Sequence, residues 1–289
     1  MNPRPFEYHS PRTVDEALAL ADRYGPDGKF LAGGQSLIPL MKLRIASPAH
    51  LIDLGRIAQL SYIRADRENI AIGAMTRLDE VSNSGLVAEE CPALAQCAIQ
   101  IADPLVRNLS TIGGNIAHAD PSNDMPAVMV ATGAQLVATS SRGRRSIPAS
   151  DFFVDTFTTA LRQGELLTEV RIPAGRCRLS AYIKLERQAG DFGVVGVAAV
   201  LELASDGTCS SCGVALSGVG PKVLKAKRAE GLIVGNRPDE GTLEKAGRAA
   251  AEDCDPVGDL RGSADYKRRM SQVITIRALR AAAKEAERI

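Results

Sequence analysis

The chain contains no tryptophan and only 3 histidines, aromatic residues make up 4% of it, and its 35 basic residues almost balance its 34 acidic ones. A net charge of +1 gives no field that would attract nucleic acid or an anionic membrane, so we set both kinds of partner aside. No apolar run approaches the roughly 18 residues of a membrane span. The polar start, residues 1–4, is unlike a secretory signal. We therefore expect a cytoplasmic protein, attached to the inner membrane at most through a partner.

The 6 cysteines do not have the spacing of an iron–sulfur cluster or a zinc site. The one close pair, Cys209 and Cys212, follows an Asp206–Gly207 turn signal, and no second pair or neighbouring histidine completes a tetrahedral set. We interpret both as ordinary strand cysteines. A cluster requires four thiolates in recognisable spacing, so a chain like this one needs another cofactor if it transfers electrons. His9 and His50 belong to no motif.

Two loops with adjacent glycines are the most informative feature that the sequence does contain. They read Ala32-Gly33-Gly34-Gln35-Ser36 and Thr111-Ile112-Gly113-Gly114-Asn115, and each precedes a segment that can begin a helix. Glycine has no Cβ, so adjacent glycines can adopt positive φ and turn successive N–H groups toward one point. Such a nest binds anions. Two of them predict a ligand with at least two phosphates, such as a dinucleotide.

The length of 289 residues predicts two or three domains, and the hydrophobic pattern predicts a chain that mixes helices and strands, of the α/β or α+β class. We place the boundaries at 1–57, 58–175 and 176–289. The first segment alternates strand, helix and strand, with a helix from Val14 behind the N-cap Thr13. The second begins with a hairpin around residues 66–68 and continues with helices and strands. The third contains three β segments, expected to form an antiparallel sheet, and then helices, the last at 266–287.

The residues around both loops resemble a known family. The run from Ala32 to Arg44 resembles the first FAD signature of the medium, flavin-carrying subunits of molybdenum hydroxylases, and Thr111 to Pro126 resembles the second. This family includes aerobic carbon monoxide dehydrogenase, N-heterocycle dehydrogenases and xanthine dehydrogenase. The resemblance extends over the whole chain. It implies a two-subdomain FAD-binding fold of the vanillyl-alcohol-oxidase (PCMH) type, followed by a small C-terminal domain with an antiparallel sheet and helices.

The resemblance also implies which residues hold the cofactor. The first loop would wrap the pyrophosphate with N–H groups and the Ser36 hydroxyl, and the second would face it from the other side. Asp124 would bind the ribose or adenine end, although a plain helix cap is an alternative. The Leu167 backbone would meet the isoalloxazine. Lys184 would lie at its polar edge and favour the anionic reduced flavin, or be an ordinary strand lysine. The full set is Ala32, Gly33, Gly34, Gln35, Ser36, Thr111, Gly113, Gly114, Asn115, Asp124, Leu167 and Lys184.

The resemblance also bears on two further segments. Asp191 and Phe192 resemble a segment near the flavin ring in carbon monoxide dehydrogenase. His118 follows the second glycine loop, but the family does not use this position for covalent flavin attachment. We therefore expect no catalytic residue and no metal ligand in this chain.

By resemblance, the chain is an FAD-carrying electron-transfer subunit. Substrate would be hydroxylated at the molybdopterin centre of a large partner, and electrons would pass through the [2Fe–2S] clusters of a small partner to FAD and an external acceptor. A heterotrimer doubled by a two-fold axis, (αβγ)2, is expected. With no evident Rossmann motif, oxygen, a quinone or a carrier protein is favoured over NAD as the acceptor.

Two alternatives belong to other classes of protein. A self-contained flavin oxidase of a small molecule would need a substrate cap, for which 289 residues leave little room. A non-catalytic assembly module would not need two intact phosphate loops. Bound flavin would separate the module from the other two, and dependence on partners would separate the subunit from the oxidase.

Overall fold

The computed structural model describes residues 2–66 and 68–287, which form three main sheets and twelve α-helices. The strands are β1 Glu7–His9, β2 Gly28–Leu31, β3 His50–Asp53, β4 Ile63–Asp66, β5 Asn69–Gly73, β6 Gln135–Ser140, β7 Gly143–Pro148, β8 Phe153–Asp155, β9 Thr158–Thr159, β10 Leu166–Pro173, β11 Leu179–Leu185, β12 Val195–Leu203, β13 Cys209–Ser217 and β14 Leu224–Lys225. The helices are α1 Val14–Tyr24, α2 Leu37–Lys42, α3 Leu78–Ser82, α4 Gly85–Glu90, α5 Pro92–Gln100, α6 Pro104–Arg107, α7 Ile112–His118, α8 Met125–Ala131, α9 Ala149–Phe152, α10 Lys227–Ile233, α11 Glu240–Glu252 and α12 Ala264–Lys284.

The N-terminal sheet is parallel, with the order β1-β3-β2. Helix α1 begins as predicted, because the Thr13 hydroxyl accepts a hydrogen bond from the Glu16 N–H at 3.2 Å. It ends at Gly25, whose φ of +53° suits a residue without Cβ. Its buried face packs with Ile52 and Leu54. The strand–helix–strand prediction is therefore confirmed for this segment.

The middle sheet has the order β4-β5-β10-β6-β7, with β10 antiparallel to both of its neighbours. The predicted hairpin is present, since Asp66 pairs with Asn69, while Arg67 of its turn lies outside the described residues. Several short elements have no counterpart in the predictions, among them β7, α4 and α9. Strand β7 is largely exposed and polar, so no alternating pattern marks it.

The C-terminal sheet is antiparallel, as predicted, with the order β11-β12-β13-β14. Helix α12 packs on β11 and β12, and α5 and α8 also pack against this sheet. Tyr182 and Ala198 of the sheet consequently share one apolar core with Ile112 and Met125 of the middle segment. Packing is continuous across the boundary expected at residues 175 and 176. The division into three domains stays a prediction.

The longest described helix is α12, with 21 residues. Charged residues interrupt it throughout, and none of the helices in 2–66 and 68–287 is both long and apolar enough to cross a membrane. The cytoplasmic location stays a prediction.

Candidate functional site

The first glycine loop leaves strand β2 and makes a turn that only glycine permits. Gly34 has a φ of +74°. A Cβ on Gly33 would lie 2.1 Å from the Leu109 carbonyl oxygen, so the backbone of residues 109–110 occupies the space of a side chain. Within the described part of the chain, the N–H groups of residues 33–36 donate no hydrogen bond. The loop therefore presents consecutive free donors, as the anion-nest prediction requires.

The second glycine pair does not form a nest, and this prediction is wrong. Gly113 and Gly114 lie in the first turn of α7, and neither has positive φ. Their N–H groups are already used: Gly113 donates to the Ala74 oxygen at 2.8 Å and Gly114 to the Thr111 hydroxyl at 3.1 Å. Thr111 is thus the N-cap of the helix.

Close packing is the reason that this second pair is glycine. A Cβ on Gly113 would lie 2.5 Å from the Cβ of Ala74, and one on Gly114 would lie 3.3 Å from the Cβ of Ala32. The second pair therefore brings α7 directly against the first loop. The two motifs meet as expected, but their roles differ. The first motif presents free N–H donors, and the second forms a closely packed wall beside it.

The two motifs line one cavity of about 660 Å³, a volume within the range of small-molecule and cofactor sites. Among its polar groups is the Asn115 Oδ1, which is buried and has no hydrogen-bond partner among the described residues. An unpaired buried acceptor of this kind is costly unless a ligand or water satisfies it. The predicted site residues on the cavity wall are Ala32, Gly33, Gly34, Gln35, Ser36, Thr111, Gly113, Gly114, Asn115 and Leu167.

Some lining residues were not predicted, because no motif marks them. The segment from Phe157 to Leu166 supplies much of one wall. The Phe157 ring lies 5.1 Å from the ring of His118, which also lines the cavity. Burial lowers the pKa of His118, so its imidazole is biased toward the neutral form.

Glu165 places a fixed negative charge on the same wall. Its two oxygens accept hydrogen bonds from Nε and Nη2 of Arg145, each at 2.8 Å. These bonds hold the pKa of Glu165 below its usual value. A bidentate pair of this geometry fixes the carboxylate in position.

The other two predicted residues, Asp124 and Lys184, are not on the cavity wall, and here the structure departs from the expectation. Lys184 Nζ lies 3.3 Å from Asp124 Oδ2, 3.1 Å from Glu186 Oε2 and 3.0 Å from the Gln100 oxygen. The Tyr182 hydroxyl donates to Asp124 Oδ1. Lys184 Nζ therefore faces three protein oxygens, and the Asp124 side chain is only 6% exposed and is bound by Lys184 and Tyr182.

Burial dominates the electrostatics of this cluster. Burial raises the pKa of Asp124, while the nearby Lys184 ammonium and the Tyr182 hydroxyl lower it. Burial also raises the pKa of Tyr182 well above its ordinary value. The alternative in which Asp124 caps a helix is also wrong, because its side chain makes no capping hydrogen bond to α8. Lys184 is a strand lysine, but a buried one.

Asp191 and Phe192 also lie outside the cavity lining. Asp191 accepts hydrogen bonds from Arg187 at 3.2 and 3.1 Å, and Arg261 lies 3.8 Å from its other oxygen. The Arg261 guanidinium stands 5.3 Å from the centre of the Phe192 ring. These contacts join the loop after β11 to the segment before α12.

The residues present fit an FAD. Consecutive free N–H groups suit a phosphate, the glycines at Gly33 and Gly113 let the backbone pack closely against residues 109 and 74, and Asn115 offers an unpaired acceptor. Fold and cavity together define the class of proteins that bind a phosphate-bearing cofactor such as a flavin.

Comparison with known proteins narrows this class. Residues 4–175 match the FAD binding domain in molybdopterin dehydrogenase, and residues 180–282 match the CO dehydrogenase flavoprotein C-terminal domain. The chain therefore belongs to the FAD-binding medium subunits of the molybdenum hydroxylases, as its motifs predicted.

Individual relatives match the chain over nearly its whole length. It is 44% identical over 283 residues to the carbon monoxide dehydrogenase medium chain of Hydrogenophaga pseudoflava, with 98% of both chains covered. It is 40% identical over 280 residues to the corresponding chain of Afipia carboxidovorans, covering 96% of this chain and 97% of that one. The solved structure of the Hydrogenophaga pseudoflava enzyme lacking the Mo-pyranopterin moiety superposes with a TM-score of 0.95 over 99% of each chain.

Proposed function

We propose that this chain is the electron-transfer subunit of a molybdenum hydroxylase, holding FAD against residues 32–36 and 111–115. Electrons would arrive from the [2Fe–2S] clusters of a small partner, after oxidation of substrate at the molybdopterin of a large partner, and leave to an external acceptor. Bound FAD supplies a carrier that exchanges electrons singly or in pairs. The complex would be an (αβγ)2 heterohexamer.

The observation that carries this proposal is the set of free N–H groups in residues 33–36 at the cavity wall. In our proposal these donors and the Ser36 hydroxyl bind the pyrophosphate, and α7 fixes the loop by packing against Ala32. Asn115 Oδ1 would accept a hydrogen bond from the cofactor. Asp124 and Lys184 would act from behind the cavity, by joining α8 to β11.

Exposed apolar side chains support a partner close to this cavity. Leu43 and Ile45 follow α2, and Leu105 and Leu109 belong to the segment that contacts Gly33; all four are exposed. Exposed apolar side chains beside a cavity suit a contact with another protein. We infer that an electron-donating subunit covers this side of the first loop.

The test compares the isolated chain with the chain co-expressed with its genomic neighbours. We expect FAD in the purified protein, identified by chromatography and reduced in the isolated chain by dithionite but not by candidate substrates. In the complex, substrate should reduce it. Bleaching of the isolated chain by a substrate would instead indicate a self-contained oxidase, and absence of flavin from both preparations would leave only an assembly module.

A pair of asparagine variants tests the location of the cofactor. Asn115→Ala should lower FAD retention, because it removes the unpaired acceptor from the cavity. Asn236→Ala is the matched control, since this exposed side chain only donates to the Leu232 oxygen and lies outside the cavity lining. Equal FAD content in both variants would contradict the assignment.

A further inference from the structure

We propose that Glu7, His9 and His50 form a zinc-binding site on the N-terminal sheet, separate from the FAD cavity. The sequence alone gave no reason to expect a metal ligand in this chain, because the two histidines are far apart and belong to no motif. Folding brings together two of the chain's 3 histidines and one carboxylate. Within residues 2–66 and 68–287, this is the one group of three or more potential ligands that could hold a metal ion.

The pairing of β1 with β3 creates this group. Glu7 and His9 are two residues apart on β1, so they project from the same face of the sheet. Glu7 is the direct neighbour of His50 in the parallel register. The three side chains therefore converge because of the backbone, and no loop needs to rearrange.

The distances between the ligand atoms fit tetrahedral zinc. His9 Nε2 lies 3.2 Å from His50 Nδ1, and Glu7 Oε2 lies 3.4 Å from His50 Nδ1 and 3.9 Å from His9 Nε2. Zinc–ligand bonds of about 2.0–2.1 Å at tetrahedral angles separate two donor atoms by about 3.3–3.4 Å. The longest edge involves the Glu7 side chain, which is 71% exposed and can adjust.

Tyr24 holds the His50 ring in position. The two rings stack with centroids 3.7 Å apart and planes inclined by 13°. This arrangement depends on Gly28, the neighbour of His50 on β2, because a Cβ there would lie 3.2 Å from the Cβ of Tyr24. The second histidine ring also stacks on Tyr24, with centroids 4.9 Å apart. Ligand rings that are fixed in this way lose little freedom when a metal binds.

The donor set indicates the class of metal. Two imidazole nitrogens and one carboxylate oxygen suit zinc, with the fourth position open to water. Such an ion would join β1 to β3 in the sheet whose third strand, β2, leads into the first glycine loop. Its effect would therefore be on the stability of the segment that supports residues 32–36. The site does not require FAD, so it can be tested whether or not the flavin proposal holds.

The experiment is a titration of the chelator-treated full chain with Zn²⁺, followed by calorimetry. We expect one zinc per chain. His9→Ala, His50→Ala and Glu7→Gln should each weaken binding by at least about tenfold. His118→Ala is the matched control and should retain the affinity of the unmodified chain, since this third histidine lies on the cavity wall with Phe157.

Two further measurements distinguish specific zinc binding at this site from nonspecific binding, and from loss of binding caused by unfolding. Thermal unfolding without metal shows whether each variant is folded, and added zinc should raise the melting temperature of the unmodified chain but not of the His9→Ala/His50→Ala double variant. Co²⁺ in place of zinc should show tetrahedral visible absorption bands. No zinc binding to the unmodified chain, or equal binding by the folded double variant, would overturn the proposal and leave the two imidazoles as a hydrogen-bonded pair.

Discussion

Lys184 Nζ and Asp124 Oδ2 form a buried ion pair 3.3 Å long, with the two side chains only 1% and 6% exposed. The lysine is on β11 and the aspartate immediately precedes α8, so the pair joins the C-terminal sheet to the middle segment. A buried pair is not in itself strongly stabilising, since desolvation offsets much of the attraction. Loss of one partner, however, leaves an uncompensated charge in an enclosed site.

Replacement of this lysine should therefore strongly destabilise the folded protein. We expect Lys184→Met to lower the free energy of unfolding by about 3–5 kcal/mol. The Asp124→Asn/Lys184→Met double variant should lose less than the lysine variant alone, because the buried Asp124 carboxylate is no longer left without its partner. Urea unfolding of the single and double variants measures the coupling. Lys225→Met is the control: its partner Glu230 lies 3.9 Å away and the lysine is partly exposed, so a change of about 0–1 kcal/mol is expected.

The Tyr182 hydroxyl should matter through the same carboxylate. Tyr182→Phe keeps the ring but leaves Asp124 Oδ1 without its donor, at an expected cost of about 1–3 kcal/mol. Removing the hydroxyl of the exposed Tyr266 should change little. The melting temperatures of the two variants, measured by thermal unfolding, show whether only the Tyr182 substitution is destabilising. If both substitutions had the same small effect, the buried hydrogen bond would not be contributing.

Substitution of Gly33 tests the contact between the first loop and residue 109. An added Cβ would meet the Leu109 oxygen at 2.1 Å, and the backbone would have to move. We expect Gly33→Ala to reduce both FAD content and melting temperature. Gly231→Ala is the control, because it places the same methyl group in open space within α10. It should raise the free energy of unfolding by about 0.5–1 kcal/mol. Retention of full FAD by Gly33→Ala would contradict the geometry described.

Glu165 should make stability depend on acidity. Its pKa is lowered from the usual 4.5 by the hydrogen bonds from Arg145, so the folded state binds the proton less readily than the unfolded state. Its contribution is therefore fully present above pH 4.5 and is lost as the pH falls through the lower folded-state pKa. Unfolding free energies of the unmodified chain and of Glu165→Gln should converge as the pH falls below 4.5. If the unfolding free energies of the two proteins differed by the same amount at all pH values, the Glu165 carboxylate would not be the source of the pH dependence.

Local signals in the sequence were sufficient for part of the fold. The Thr13 cap and Gly25 bound α1, and the turn at Asp206 and Gly207 separates β12 from β13; both signals act through neighbouring residues. The first glycine loop was predicted for the same reason, since the positive φ of Gly34 is a property of its own backbone. Short elements such as α4 and β7 carry no periodic pattern and were missed.

Tertiary contacts account for the errors at the site. The second glycine pair has the same letters as the first, but its conformation depends on Ala74, which lies far away in sequence and accepts the Gly113 N–H. The pairing of Asp124 with Lys184 spans 60 residues. The convergence of Glu7 and His9 with His50 depends on strand register. These contacts join residues that are far apart in the sequence, so they cannot be predicted from a single sequence without knowledge of the fold.

The position of β10 has a consequence for the order in which the protein forms. This strand lies between β5 and β6, yet the ribosome makes it after all four of its companions in the sheet. Until then the β4–β5 and β6–β7 hairpins have unpaired edges and no shared neighbour. Leu166 and Leu167 also line the cavity, so its wall is completed at the same moment. Flavin capture should accordingly be a late event of biosynthesis, after long-range pairing that is intrinsically slow.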